Sequence, residues 1–307
     1  MSAAAPLVLS VSADRVTGAF ILGTIQGAIY GLVGLGLVLL YKSNRIFNFA
    51  QGEFGSVAAL TTFAVTTGGL FWPKLPYPVA IVIGLVAGTG TALVTERIVV
   101  RPLLRRPKIT LVVATVGVTL LLIAVELFVL GPNIKVQQTS LKKKAFEISG
   151  TIVTQQALLI LAVLAVLAVL AYLFFNKTPY GIAILAVSQE PTAASVVGIN
   201  VNQISALTWG LAGLIGSIAG IILAPISIIS PGFMTVVVLI PGFTAAVIGG
   251  ITSLPGAFLG GILVGVAEQL FGLIPSTAVP GAARVGVGLT LLVILLIRPT
   301  GILGKET

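Results

Sequence analysis

Three observations predict an all-α polytopic membrane protein of about nine spans, some short or broken, with a folded segment on the cytoplasmic side. The chain is 57% hydrophobic and 8% charged over 307 residues, where soluble domains carry about 25% charged residues. Apolar stretches long enough to cross about 30 Å of hydrocarbon recur along it. Its 36 glycines suit close packing of membrane helices. The absence of Cys and His excludes disulfides, thiolate chemistry, His-ligated metal and His acid–base catalysis. A net charge of +9 reads as basic loops that orient the chain, and no nucleic-acid partner is expected.

The elements follow in order. Residues 1–16 lack a basic leader and contain Asp14, a poor signal peptide, so the first span is expected to be retained. That span is Thr17–Tyr41, where Gly23, Gly27 and Gly31 recur on one face as a close-packing stripe. The second, Gly52–Gly68, is short and holds Thr61, Thr62, Thr66 and Thr67. Phe71-Trp-Pro-Lys-Leu-Pro-Tyr77 is an interfacial turn before the third span, Pro78–Glu96. Arg97, Arg101, Arg105, Arg106 and Lys108 form the densest basic cluster, and Ile109–Leu130 is the fourth span. Residues 131–156 form a polar loop, expected to be extracytoplasmic, with Lys135 and Lys142-Lys-Lys144. Within it, Ala145–Val153 alternates around Gly150 as a small hairpin would. Ala157–Phe175, almost pure Ala/Val/Leu, is the fifth span and lipid-facing. The sixth, Ile204–Ile229, carries Gly210, Gly213, Gly216 and Gly220. The seventh, Val236–Ile251, is short and interrupted at Pro241-Gly242. Gly256–Gly272 and Ala283–Ile297 complete the set, the last ended by Arg298-Pro299. Residues 1–307 read as one transmembrane domain.

Charge sets the orientation. Placing the cluster at 97–108 in the cytoplasm puts Lys42, Arg45, Arg97, Arg101, Arg105, Arg106, Lys108, Lys177, Arg298 and Lys305 inside. Arg15, Lys74, Lys135, Lys142, Lys143 and Lys144 fall outside, with Arg284 at a span edge. The N-terminus is then outside and the C-terminus inside. Residues 176–203 become a cytoplasmic segment between apolar spans. Its apolar residues lie between Gly181 and Gly198, and Pro191 can open a second helical piece. A folded amphipathic loop beside a membrane reads as a docking face for another protein that does work.

The second and seventh spans, one in each half, are the short or interrupted ones. Paired broken spans point to a binding site in transporters. The second is entered through Asn48-Phe-Ala-Gln-Gly-Glu53, with Asn48 as a cap and Glu53 in the first turn. Spacing favours a capped helix at the membrane interface over a substrate ligand. Away from the termini and caps, Glu96, Glu126 and Glu268 are the acidic residues in or near spans. Glu96 adjoins Arg97 and is expected to be solvated; Glu126 and Glu268 fall toward outer helix ends. Glu268 and Arg284 share an outer level, as an ion pair at the outer mouth or as two snorkelling side chains. The lone Gly304-Lys305 lacks a phosphate-binding loop's glycines and hydroxyl, so any ATP belongs to another chain.

These residues resemble a known family. Residues 29–40 followed by Asn48-Phe-Ala-Gln-Gly-Glu53 are similar to the first span and Asn-Phe-Ala-His-Gly-Glu signature of branched-chain amino acid ABC importer permeases, the shorter of two permease types. Gln51 stands where His is usual. Ser188-Gln-Glu-Pro-Thr-Ala-Ala194 through Gly198-Ile-Asn200 resembles the cytoplasmic coupling segment. Ile248-Gly-Gly-Ile251, Leu254–Ile262 and Arg298–Gly304 resemble the late signatures. The resemblance covers nearly the whole chain.

It implies a subunit of an ATP-driven importer in the bacterial inner membrane, carrying leucine, isoleucine and valine and holding no cofactor. ATP and Mg would be bound by two cytoplasmic ATPase subunits. A second permease subunit, a longer paralogue, would complete the pathway, and an extracytoplasmic binding protein would deliver substrate. Ser188, Gln189, Glu190, Pro191, Ala193, Ala194 and Gly198 would couple to the ATPase. Apart from the resemblance, the paired short spans put Asn48, Gln51, Gly52, Glu53, Thr61, Thr62, Pro241 and Gly242 on the expected substrate path, and the shared outer level of Glu268 and Arg284 makes them the expected outer gate. A urea or short-amide permease shares these signatures. A self-sufficient secondary transporter or channel would need buried carboxylates near the midplane, and the sequence places none there firmly.

Overall fold

The computed structural model describes residues 12–68, 73–104, 106–139, 141, 143–275, 278–298 and 300–304. Residues 1–11 lie outside the described residues, as do Phe71, Trp72, Arg105, Lys142, Pro299 and Lys305, on which expectations above rest. Among the described residues, six helical runs are long and apolar enough to cross a membrane. They are α1 (Ala13–Asn44), α3 (Tyr77–Thr95) continuing through α4 (Arg101–Leu103), α5 (Lys108–Leu130), α6 (Gln155–Lys177), α9 (Val201–Leu223) with a 3₁₀ turn to Ile226, and α11 (Leu254–Phe271). Three expected spans are shorter. They are α2 (Gln51–Thr67), the run Thr235–Gly249 containing α10 (Ile240–Gly249), and α12 (Ala282–Ile297).

Burial sorts the long helices into a centre and a rim. In their most apolar stretches α1 is 78% buried and α9 67%, against 22% for both α5 and α6. The rim helices turn Val113, Leu120, Phe128, Val166 and Leu170 outward, as helices facing hydrocarbon do. The glycine stripe of α1 meets the glycines of α11. A Cβ on Gly27 would stand 2.5 Å from the Gly261 carbonyl oxygen, and one on Gly265 2.3 Å from that of Gly23. Small residues here let two backbones touch, the usual source of helix association in lipid.

The late motifs clasp each other. The N–H groups of Ile302 and Leu303 donate to the carbonyls of Ile248 and Gly249 at 2.8 and 3.1 Å. The sequence separates these segments by more than fifty residues, and nothing in either announces the contact. The hairpin forms where alternation places it. Strands β1 (Lys144–Ile148) and β2 (Thr151–Thr154) pair antiparallel. Ser149 and Gly150 take the positive φ values of 46° and 77° that a tight two-residue turn requires.

Glu96 corrects an expectation. It is 1% exposed, not solvated, and Arg101 grips it from Nε at 3.2 Å and Nη2 at 2.9 Å. The reason is a π turn at Glu96–Val100, whose wider winding brings residue i+5 over residue i. Arg101→Ala would leave that carboxylate buried and unpaired. A loss of about 3 kcal/mol is expected, read as a lowered midpoint in a detergent-solubilised thermal melt.

Between α6 and α9, within residues 176–203, lie two helices, α7 (Pro179–Gln189) and α8 (Pro191–Val196). Thr178 Oγ1 caps α7 through the Gly181 N–H, and Glu190 Oε1 caps α8 through that of Thr192, both at 3.2 Å. Gly198 ends the unit with φ +90°, a conformation few residues other than glycine adopt.

Candidate functional site

After α1 the chain turns at Arg45 (φ 53°), and residues 46–50 run back into the protein. Phe47 stacks on Tyr41 and meets Phe243 edge-on, each at 5.0 Å between ring centres. The Phe49 N–H donates to Thr115 Oγ1 of α5 at 3.2 Å. Helix α2 therefore begins inside the bundle, not at an interface. Gln51 lies beside Gly36, eight residues from the end of α1, which is about 12 Å along the helix. Its Nε2 donates to the Ala212 carbonyl in the middle of α9 at 2.9 Å. The cap also differs from expectation. Ala50 is the N-cap and makes no side-chain bond. Asn48 Oδ1 instead accepts from the Ala50 N–H at 3.0 Å, an Asx turn, while its buried Nδ2 has no partner among the described residues.

The run Thr235–Gly249 continues past Pro241-Gly242 without a break. A π turn at Thr235–Leu239 precedes the proline, which sits in the first turn of α10 and so costs few backbone bonds. A Cβ on Gly242 would lie 2.9 Å from Val33 Cγ1, so α10 rides closely on α1. Between them lies a cavity of about 100 Å³, lined by Leu37, Phe47, Asn48, Phe49, Leu239, Ile240 and Phe243. Its surface is wholly apolar: Asn48 is fully buried and contributes no polar surface to it.

The two short segments meet at their N-terminal ends. A Cβ on Gly52 would stand 2.9 Å from the Thr235 nitrogen, and the Met234 N–H donates to Ser56 Oγ at 3.2 Å. Glu53 (0% exposed) and Glu126 of α5 (5%) face each other at this junction. Glu126 Oε2 accepts from the Gly232 N–H at 2.8 Å. Neither oxygen of Glu53 has a hydrogen-bond donor among the described residues. The sequence put Glu126 at an outer helix end and Glu53 at an interface. The re-entry of residues 46–50 is what brings them together.

A second cavity, of about 470 Å³, opens between Lys42 and Arg45 at the end of α1, Leu185, Ser188 and Gln189 of α7, and the turn Thr252–Pro255. Tyr180 and Ile182 of α7, Val196 at the end of α8 and the following Val197 are exposed.

Residues 19–297 match the family described as "Branched-chain amino acid transport system / permease component". The chain belongs to this family of ABC permeases. Among its relatives, the permease protein BraD of Pseudomonas aeruginosa, of a high-affinity branched-chain amino acid transport system, is 28% identical over 92% of this chain and 94% of its own. LivH of Escherichia coli K12, described in the same words, is 29% identical over 92% and 94%. The fructose import permease protein FrcC of Rhizobium meliloti is 26% identical over 78% of this chain and 67% of its own. PsaBC from Streptococcus pneumoniae in complex with Fab covers 92% of the chain at 18% identity and a TM-score of 0.49. In keeping with its family, the permease is not an enzyme and has no nucleotide site of its own.

Not every expected site residue joins these groups. Thr62 lies about 16 Å along α2 from Gln51. Its Oγ1 donates to the Ala58 carbonyl at 2.8 Å and fits against Gly84 of α3. Thr61, half-buried, stands beside it. Glu268 makes no ion pair with Arg284 within 4.0 Å; it accepts from the Tyr30 hydroxyl, which in turn accepts from Gln26 Nε2 at 2.9 Å. Of the residues expected to couple to an ATPase, Ala194 is buried and Glu190 is a helix cap, whereas Pro191 and Ala193 are exposed. That expected set did not include the exposed Val196 and Val197, or Lys42 and Arg45, which line the second cavity.

Proposed function

We propose that this permease forms one half of the pathway of an importer for branched-chain amino acids in the bacterial inner membrane. Two cytoplasmic ATPase subunits drive it, a second permease subunit completes the path, and an extracytoplasmic binding protein supplies substrate. The observation that carries the substrate reading is the chamber between α1, residues 47–49 and α10. Its exposed walls are Leu, Ile and Phe side chains, which suit an aliphatic group. BraD and LivH, whose names carry this substrate class, align over nearly the full length of the chain.

In this reading Asn48, Gln51, Gly52, Pro241 and Gly242 shape the path, and α7, α8 and the cleft beside them receive the ATPase. The topology follows the charge tally, with 131–156 outside and 176–203 inside. A second reading, a path for a small polar solute such as urea or a sugar, draws on the similarity to FrcC. The assembled importer in proteoliposomes separates the two. Phe243→Trp, which fills the chamber, is expected to lower the maximal rate of leucine uptake and leave half-saturation unchanged, because the binding protein sets capture. Uptake of urea or fructose in preference to leucine would overturn the aliphatic assignment.

A further inference from the structure

We propose that Glu53 and Glu126 form an intramembrane proton site, in which one proton is shared between the two carboxyl groups and latches α2 to α5 and to the turn at 231–235. The groups are 0% and 5% exposed and face each other. Ser56 and Thr235 also face Glu53, and the Thr235 hydroxyl has no other partner. Glu126 takes its one bond from the Gly232 N–H. No Lys or Arg forms an ion pair with either carboxyl among the described residues, and the Lys135 ammonium is held by the Leu130 carbonyl at 2.8 Å.

The balance of charge decides the occupancy. Two helical runs, α2 and Thr235–Gly249, bring their N-terminal ends to this spot. Each end supplies about half a positive charge, so together they offset about one carboxylate. A second buried charge would have no counterpart. With one proton between them, the pair carries a single negative charge, and the shared hydrogen bond fills an otherwise empty position on Glu53. The site is separate from the chamber and does not depend on which solute is carried.

Infrared spectroscopy of the full-length permease at neutral pH, in sodium-free buffer, tests this. The expected spectrum contains a protonated-carboxyl carbonyl band that shifts in D₂O. It is lost in both Glu53→Gln and Glu126→Gln, because a Gln amide donates to the remaining carboxylate without a proton. Glu268→Gln should retain it, excluding the Tyr30-bonded acid as its source. Absence of the band in the wild-type protein would overturn the proposal, as would its survival in both variants. A wild-type melting temperature that rises with sodium over choline would also overturn it, by assigning the site to a metal cation. If the Gln variants fail to fold, the wild-type spectrum and that of Glu268→Gln still decide: a band in both supports the site, and its loss in Glu268→Gln overturns it.

Discussion

Gly27→Val is expected to leave almost no folded permease in the membrane. A Cβ at position 27 would sit 2.5 Å from the Gly261 carbonyl oxygen and 2.7 Å from Ile262 Cα. Both are backbone atoms, so no side chain can swing aside and α1 must part from α11. Overpacking a tight core costs about 1–3 kcal/mol where side chains can adjust, and more where they cannot. Set against a total stability of about 5–15 kcal/mol, that is a large loss. The control is built into the same fold. Gly90 and Gly117 have nothing within 4 Å of where a Cβ would lie. Gly117→Ala should be neutral or stabilise α5 by up to about 1 kcal/mol through helix propensity. Size-exclusion profiles and thermal melts of the two variants check the contrast.

Replacing both Val196 and Val197 with Asp is expected to abolish ATP-driven uptake while leaving the melting temperature of the isolated permease unchanged. These valines are 81% and 75% exposed, so charging them disturbs no internal packing. At a docked apolar face the same change removes a contact and buries two charges. A cost of about 2 kcal/mol, roughly thirtyfold in ATPase affinity, is the lower bound. Glu190→Gln makes a useful contrast. A Gln oxygen can still accept from the Thr192 N–H, so α8 should persist and uptake should fall little. Co-purification of the ATPase with each variant separates lost docking from lost coupling.

What was legible in the sequence was what repeats or punctuates. Gly23, Gly27 and Gly31 announced a packing face because a four-residue repeat is itself a helical stripe. Pro191 announced the division of α7 from α8, and alternation around Gly150 announced the hairpin. The depth of α2 was not legible, because residues 46–50 are as apolar as an ordinary interfacial loop and carry no mark of re-entry. That one misplacement hid the meeting of Glu53 with Glu126. The Arg101–Glu96 pair was hidden because a spacing of five is not a neighbour relation on an α-helix and becomes one only on a π turn. Tyr30 was missed as the partner of Glu268 because the contact spans 238 positions along the chain. Local physics is written locally, whereas these pairings depend on where whole helices lie.

In the proposed function, the permease moves a branched-chain amino acid only when an ATPase works on its cytoplasmic face. The direct measurement is uptake of labelled leucine into proteoliposomes holding the permease with its partner subunit and ATPase pair, with binding protein outside and ATP inside. Concentrative uptake is expected, and it should stop when ATP, the ATPase pair or the binding protein is omitted. Equilibration of leucine by the permease alone, without ATP, would contradict it.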